Sequence, residues 1–215
     1  MKIKQRYTKM INWFEKTVQN NETELFYTNT FQLLIAVILS AQCTDKRVNT
    51  VTPFLFKTFP TPESLACSNK NIVYEYIKNI SYPNNKSKYL VNMSKVLISN
   101  YNGEIPSNVY ELIKLPGVGR KTANIIASIA FGIPAIAVDT HVFRVSNRIG
   151  LTNNAQTPLQ TERTLTKYIP KKLWIKAHNC LILHGKYICT SRMPKCFNCK
   201  LNGNCDYYSN KLTKR

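Results

Sequence analysis

Apolar residues recur along this 215-residue chain at the three- and four-residue spacing of amphipathic helices. The first such pattern covers about residues 4–20, where Tyr7, Ile11, Phe14 and Val18 fall on one face. No segment shows the regular apolar–polar alternation of a β-strand. The pattern therefore predicts an all-α protein.

Gly, Pro and Asn interrupt the apolar pattern and divide it into further helices. Pro53 lies inside one of them and is expected either to kink that helix or to mark its true start, because proline lacks a backbone N–H. Thr61, Ser107, Asp139 and Thr157 stand where helix N-caps are expected. The other predicted helices cover about residues 31–41, 71–80, 86–103, 107–114, 139–149 and 171–187.

The most apolar run, FQLLIAVILSA at residues 31–41, is shorter than the roughly 20 residues that a membrane-spanning helix needs. The basic N-terminus lacks the apolar core of a signal peptide. We therefore expect residues 31–41 to form a buried helix. The protein is expected to be cytoplasmic and bacterial in type, without a membrane partner.

Charge narrows the choice of partner. Lys and Arg number 30 against 11 acidic residues, which gives a formal net charge of +19 and a pI near 9.7. Such an excess favours a polyanion, nucleic acid first and an acidic membrane surface second, although a general bias toward Lys, Asn and Ile would raise the charge too. Nothing in the composition marks a domain boundary.

The segment from residue 115 to residue 141 carries the candidate chemistry. Gly117 and Gly119 flank one apolar residue directly before a helix-forming run, and Lys121 falls in the first turn of that helix. The free N–H groups at a helix start suit a phosphate. Asp139 follows at the start of the next helix, where it can act as an N-cap. The segment predicts a nucleic-acid backbone contact with an amine and a carboxylate nearby.

The seven cysteines fall into two groups. Three are scattered in apolar patterns and are expected to be buried small side chains: Cys43, Cys67 and Cys180. Four cluster near the C-terminus in a segment with no apolar period of its own: Cys189, Cys196, Cys199 and Cys205. A cytoplasmic location argues against disulfides. A ligated centre is the interpretation, and the spacing leaves zinc and an iron–sulfur cluster both open.

Together these features resemble the helix-hairpin-helix DNA glycosylases, and specifically the endonuclease III family. The resemblance spans nearly the whole chain, and its most specific motifs are LPGVGRKTA at 115–123, VDTH at 138–141, LSAQCTD at 39–45, LILHG at 181–185 and the four-cysteine loop.

The resemblance implies two helical lobes with a DNA-binding cleft between them. One lobe would be a six-helix barrel at 23–133, with the helix-hairpin-helix at about 108–128. The other would combine 1–22 with 134–215 and hold a [4Fe-4S] cluster on the four cysteines of the loop at 189–205.

The activity that the resemblance implies is base-excision DNA repair by a bifunctional glycosylase and abasic-site lyase. It would act as a monomer on double-stranded DNA with oxidised pyrimidines or abasic sites, and so associate with the nucleoid. Lys121 would be the nucleophile and would cut the DNA 3′ to the abasic site by β-elimination through a Schiff base. A helix N-terminus, partial burial and Arg120 would favour its neutral form. Asp139 would assist it or stabilise charge on the sugar. His141 is given no chemical role.

Several further residues are implied to contact DNA. Gln42 would fill the space that a flipped nucleotide leaves. The family usually has an apolar wedge where this chain has Tyr82, whose ring could still insert into the stack. Backbone N–H groups of Gly117, Val118 and Gly119 would hold a phosphate, and the loop residues Arg192 and Lys195 could contact others.

Two alternatives stand beside this interpretation. A monofunctional mismatch or adenine glycosylase would not need Lys121, and the chain lacks the extra C-terminal domain expected of the adenine enzyme. A non-catalytic DNA-binding module would use the hairpin and the metal centre alone, and Asp139 together with Lys121 argues against it.

Overall fold

The structure, a computed structural model, describes residues 3–17 and 23–212. Within these ranges the chain forms helices and turns without a β-strand, which confirms the predicted all-α class. The described part also contains no helix long and apolar enough to cross a membrane. The α-helices are α1 (Ile3–Lys16), α2 (Thr30–Ser40), α3 (Asp45–Thr58), α4 (Pro62–Ala66), α5 (Lys70–Ile77), α6 (Pro83–Tyr101), α7 (Val109–Leu112), α8 (Arg120–Phe131), α9 (Thr140–Ile149), α10 (Pro158–Tyr168), α11 (Trp174–Tyr187) and α12 (Asp206–Leu212), with 3₁₀ turns at Lys171–Leu173, Cys196–Asn198 and Asn202–Asn204.

The chain divides by its own contacts into two compact units, each with a separate apolar core. One unit is Glu22–Ile133, and we call it the hairpin unit. The other combines Met1–Asn21 with Pro134–Arg215, and we call it the cysteine unit. Their interpretation as a six-helix barrel lobe and a cluster-binding lobe stays a prediction, as does the cleft.

The hairpin unit is organised around α2, whose residues from Leu33 to Leu39 are all buried. This helix packs against α3, α6 and α8, so it has no face left for polar residues. The uniformly apolar run at 31–41 is therefore a core helix, as predicted. Its N-cap is Asn29, whose side chain accepts a hydrogen bond from the Gln32 N–H at 2.9 Å.

Helix α3 settles the position of Pro53. The helix begins after Thr44, whose hydroxyl accepts a hydrogen bond from the Arg47 N–H at 3.3 Å, and it continues through Pro53 to Thr58. The expectation that Pro53 marks the helix start is therefore wrong.

Most predicted caps are confirmed, and two boundaries are corrected. The side chains of Thr61 and Thr157 both accept backbone hydrogen bonds at helix starts. The cap expected at Ser107 is wrong, because Asn108 caps α7 by accepting from the Tyr110 N–H at 2.8 Å. Helix α6 begins at Pro83 rather than near residue 86, since proline suits a first turn, where no N–H is needed.

The cysteine unit is built on α1, α9 and α11. Of the predicted apolar face of α1, Tyr7 and Phe14 are buried, Ile11 is partly buried, and Val18 lies outside the described residues; Met10, which was not predicted, is buried as well. The Tyr7 hydroxyl donates to the Leu151 carbonyl at 2.9 Å. Burial, and secondarily Tyr168, raises the pKa of Tyr7 well above its ordinary value.

Helix α12 was not predicted. It is joined to α1 by an ion pair between Arg6 and Asp206, and Arg6 also donates to the Gly150 carbonyl at the end of α9 at 2.7 Å. Its stability therefore depends on a contact between residues far apart in sequence, which local periodicity does not reveal.

The three scattered cysteines differ in exposure. Cys180 is buried in the apolar core of the cysteine unit, as predicted, and burial raises its pKa to about 11. Cys43 is half-buried against the core of the hairpin unit. The expectation of burial is wrong for Cys67, which is exposed because it is the C-cap of the short helix α4.

Candidate active site

The glycine hairpin connects α7 to α8 and is anchored by the buried side chains of Leu115 and Val118. Gly117 has φ +81°, and a Cβ atom there would lie 2.8 Å from the Cβ of Tyr89 on α6. Both the left-handed backbone and the close approach of α6 require glycine at this position.

Gly119 is different, although it belongs to the same hairpin. It is the N-cap of α8 with φ −88°, a conformation open to any residue. A Cβ atom built on Gly119 would meet no atom of the described chain within 4 Å. Gly119 has no side chain that could cap α8, and the N–H groups at the start of a helix suit an anionic ligand. The absence of a Cβ atom at Gly119 leaves room for a ligand to approach these N–H groups.

Lys121 is the second residue of α8, beside this N-terminus. Its side chain is exposed, so the partial burial expected from the sequence is wrong.

Asp139 is the N-cap of α9, as predicted. Its Oδ1 accepts a hydrogen bond from the Val142 N–H at 2.8 Å, and the residue is half-buried. This bond fixes the direction of the carboxylate. Lys121 belongs to the hairpin unit and Asp139 to the cysteine unit.

Two residues proposed to contact DNA occupy exposed turns of the hairpin unit. Gln42 follows α2 with φ +56°, and Tyr82 precedes α6 with φ +57°. Both side chains are exposed, that of Tyr82 to 61%. A left-handed backbone is uncommon for residues other than glycine and marks positions worth a functional explanation.

The four C-terminal cysteines are brought together in the cysteine unit. Cys189, Cys196, Cys199 and Cys205 line one pocket with about 340 Å³ of empty space, including the part open to solvent. His184 lines the same pocket, with its Nε2 3.5 Å from the Cys199 Sγ. Among the described residues no group of three or more His, Cys, Asp or Glu side chains could hold a metal ion. The four thiols nevertheless line a common pocket.

Burial sets the protonation of several groups at this pocket. It raises the pKa values of Cys199 and Cys205 above the ordinary thiol value. It also lowers the pKa of His184 to about 4, so this imidazole is neutral at physiological pH.

Two arginines on α9 hold the start of the cysteine loop, and sequence reasoning missed both. Arg144 donates to the carbonyls of Cys189, at 3.1 Å, and Gly185, at 2.9 Å, and its guanidinium lies 3.2 Å from the His141 Nδ1. These contacts give His141 a structural partner. Gly185 allows close packing there, since a Cβ would lie 2.7 Å from the Cβ of His141.

Arg148 lies one helical turn further along α9. It donates to the carbonyls of Thr190 and Ser191, both at 2.7 Å, and to the Cys189 Sγ at 3.6 Å. Its guanidinium also stacks 4.5 Å above the ring of Tyr207. Periodicity places Arg148 on a helix but does not show that it faces a loop about forty residues away.

The loop residues Arg192 and Lys195 are exposed, as a phosphate contact would require. The Lys195 N–H donates to the Ile188 carbonyl at 2.9 Å, which closes the loop on itself.

Comparison with known proteins identifies the family. Residues 35–171 match the family described as HhH-GPD superfamily base excision DNA repair protein. Endonuclease III of Rickettsia conorii is 49% identical over 202 residues, which cover 94% of this chain and 96% of that protein. The chain belongs to the endonuclease III family. The resemblance inferred from the motifs is confirmed, and with it a role in base excision DNA repair.

Further similar proteins agree with this assignment. The Bacillus subtilis protein is 46% identical over 184 residues, covering 86% of this chain and 84% of that protein. Among solved structures, a trapped endonuclease III–DNA covalent intermediate in an estranged-adenine complex matches with a TM-score of 0.92 and 42% identity, covering 99% of this chain and 100% of that one. A thermostable thymine-DNA glycosylase matches with a TM-score of 0.80 and 25% identity, covering 97% of each chain.

Proposed function

We propose that this endonuclease III family enzyme, a DNA glycosylase and abasic-site lyase, removes oxidised pyrimidines through a Schiff base on Lys121. The observation that carries the proposal is the position of Lys121 in the first turn of α8, beside a helix start that Gly119 leaves open. The N–H groups there would hold a phosphate next to the damaged nucleotide, which places the amine near its sugar.

The chemistry divides into two steps, first release of the base and then cleavage of the strand. The neutral amine of Lys121 attacks C1′ of the sugar, the bond to the base breaks, and the base leaves with a proton. The ring opens to an imine between Lys121 and C1′. Loss of a proton from C2′ then breaks the bond between C3′ and its phosphate oxygen, which cuts the strand 3′ to the site. Water hydrolyses the imine and frees the lysine.

Asp139 would serve the first step. A carboxylate held by the N-cap bond to the Val142 N–H has a fixed direction. It would accept a proton from the Lys121 ammonium, or stabilise positive charge that develops on the sugar as the base leaves. Lys121 is exposed, so its amine is accessible to a substrate.

Extrusion of the nucleotide would depend on the hairpin unit. Gln42 would occupy the vacated space and contact the orphaned base, and Tyr82 would wedge between neighbouring bases. Their exposure and their position on turns support these roles.

We propose further that the four cysteines of the loop hold a [4Fe-4S] cluster. Such a cluster takes four thiolates around several iron atoms, which fits four cysteines around a void. Zinc also binds cysteine thiolates and is the alternative, which the metal analysis below distinguishes from the cluster. When bound, the cluster would cross-link a loop that has no apolar core of its own, and this would hold Arg192 and Lys195 toward phosphates.

Borohydride reduction in the presence of DNA with thymine glycol or an abasic site tests the lysine. The wild-type protein should form a covalent adduct, and Lys121→Gln should form none. Lys114→Gln is a matched control, because Lys114 is an exposed lysine of the same hairpin that pairs with Glu111 at 2.7 Å. Base release without an adduct would indicate a monofunctional glycosylase, and DNA binding without either would indicate a non-catalytic module.

Two further measurements test the role of Asp139 and the identity of the metal centre. Asp139→Asn should keep DNA affinity while losing most base release, whereas equal loss of both would make Asp139 purely structural. Iron and sulfide analysis with visible absorbance tests the cluster, and stoichiometric zinc would overturn it.

A further inference from the structure

The two turns that carry Gln42 and Tyr82 share an unusual backbone. Each residue is left-handed, with φ +56° and +57°, although neither is glycine. A left-handed backbone is unfavourable for a residue other than glycine and persists only where its surroundings hold it in place. The surroundings of both turns include one common residue, Lys86.

Lys86 is attached to the two turns by different groups. Its backbone N–H donates to the Tyr82 carbonyl at 3.1 Å in the first turn of α6. Its side-chain ammonium donates to the carbonyls of Leu39, at 2.8 Å, and Ala41, at 2.7 Å. These two carbonyls end α2 immediately before Gln42. Lys86 therefore connects the base of the Tyr82 turn to the base of the Gln42 turn.

The ammonium of Lys86 is buried, so its hydrogen bonds replace contacts with water. The residue is only 5% exposed, and burial lowers the pKa of its ammonium. A buried lysine is uncommon, and a long side chain normally keeps its charge in water. The ammonium is accommodated here because the C-terminus of α2 presents carbonyls that need donors and carries the negative end of the helix dipole.

We propose that Lys86 is a positioning residue for nucleotide extrusion, which holds the Gln42 and Tyr82 turns at a fixed separation so that both side chains enter the DNA together. The inference rests on the proposed roles of Gln42 and Tyr82. Lys86 itself has no proposed contact with the reacting atoms. It affects the rate only through the positions of the two turns. A displacement of about 1 Å in such a group can lower a rate by about 100-fold.

Lys86→Met tests the inference, because methionine has a similar length and tolerates burial but cannot donate. We expect single-turnover release of thymine glycol from duplex DNA to fall by about 10- to 100-fold, with Schiff-base formation by Lys121 still detectable. Lys88→Met is the matched control. Lys88 is exposed on the same helix, and surface substitutions usually have small effects. The rate of its variant should therefore match that of the wild type within about twofold.

A double-mutant cycle separates positioning from general destabilisation. If Lys86 acts through the two turns, Lys86→Met should lower the rate less than about threefold further in a Gln42→Ala, Tyr82→Ala background, because coupled residues are not additive. A full additional loss there, or an unchanged rate in the single variant, would overturn the inference. If Lys86→Met does not fold, Lys86→Gln takes its place in the same cycle, because the glutamine side chain is polar but one atom too short to reach both carbonyls as the ammonium does, and the same fall in rate is expected.

Failure of the proposed function gives a different result. A wild-type protein that forms no borohydride adduct refutes the Schiff-base mechanism. Normal base release by the Gln42→Ala, Tyr82→Ala variant refutes the roles of these two side chains, and with them the role of Lys86.

Discussion

The two glycines of the hairpin should respond oppositely to alanine. Gly119→Ala places a methyl group where the described structure has no atom within 4 Å, on a backbone at φ −88°. Gly117→Ala places one 2.8 Å from the Cβ of Tyr89 on a backbone at φ +81°. The Gly119→Ala variant should therefore fold normally but bind DNA poorly. The Gly117→Ala variant should be unstable.

The magnitudes follow from these surroundings. Gly117→Ala combines a left-handed penalty of about 1–2 kcal/mol with overpacking of about 1–3 kcal/mol, so the free energy of unfolding should fall by about 2–5 kcal/mol. Gly119→Ala exchanges a favourable N-cap for an unfavourable one, at about 1 kcal/mol. At Gly119 the methyl group would displace a phosphate from the N–H groups. Hydrogen bonds to a charged group contribute about 1.5–3 kcal/mol, so DNA affinity should fall by about 10- to 100-fold.

Urea denaturation measures the stabilities, and fluorescence anisotropy with a duplex carrying a stable abasic-site analogue measures the affinities. The salt dependence adds a further test. A backbone N–H carries no counterion-releasing charge, so Gly119→Ala should weaken binding without changing the slope of log affinity against log salt. Unchanged affinity of the Gly119→Ala variant would refute the phosphate contact at α8, and a shallower slope would point to a displaced lysine or arginine instead.

Three other predictions concern stability, the cysteine loop and thiol reactivity. The pKa of Tyr7 is raised in the folded state, so above about pH 10, the ordinary pKa of tyrosine, the unfolded state loses the phenolic proton first. The free energy of unfolding, measured by urea titration, should therefore fall as the pH rises. Tyr7→Phe, which also loses the bond to Leu151, should show a smaller fall. Arg148→Met removes the hydrogen bonds that hold the start of the cysteine loop, so iron release to a chelator should be several-fold faster while far-ultraviolet circular dichroism stays unchanged; an unaltered release rate would contradict this role. Iodoacetamide should alkylate exposed Cys67 first and buried Cys180 last, as mass spectrometry of peptides would show, and early modification of Cys180 would contradict its burial.

Local chemistry in the sequence was sufficient for much of the fold. The apolar run at 31–41 forms a core helix in which every residue from Leu33 to Leu39 is buried, and a helix that is apolar on all sides indicates such burial directly. The caps at Thr61 and Asp139 are local as well, since each bonds within its own first turn. What depends on neighbours in sequence was predictable.

Features that depend on distant residues were not. Helix α12 is held by the pairing of Arg6 with Asp206, and the cysteine loop is held by arginines of α9 that precede it by about forty residues. Lys86 looks like any lysine of an amphipathic helix, and only the fold shows that its ammonium is buried against the end of α2. The exposure of Lys121, where partial burial was expected, is a tertiary property of the same kind.

The functional positions stand out where the needs of the fold do not explain the residue. Gly117 is explained by Tyr89 and by its own backbone, so it needs no ligand to account for it. Gly119 has neither reason, and the approach of a phosphate to α8 supplies one. Gln42 and Tyr82 show the converse, because they hold conformations that glycine would adopt at lower cost, yet they keep large exposed side chains. A large exposed side chain retained against its backbone preference suggests contact with a partner, and we propose that this partner is the DNA stack.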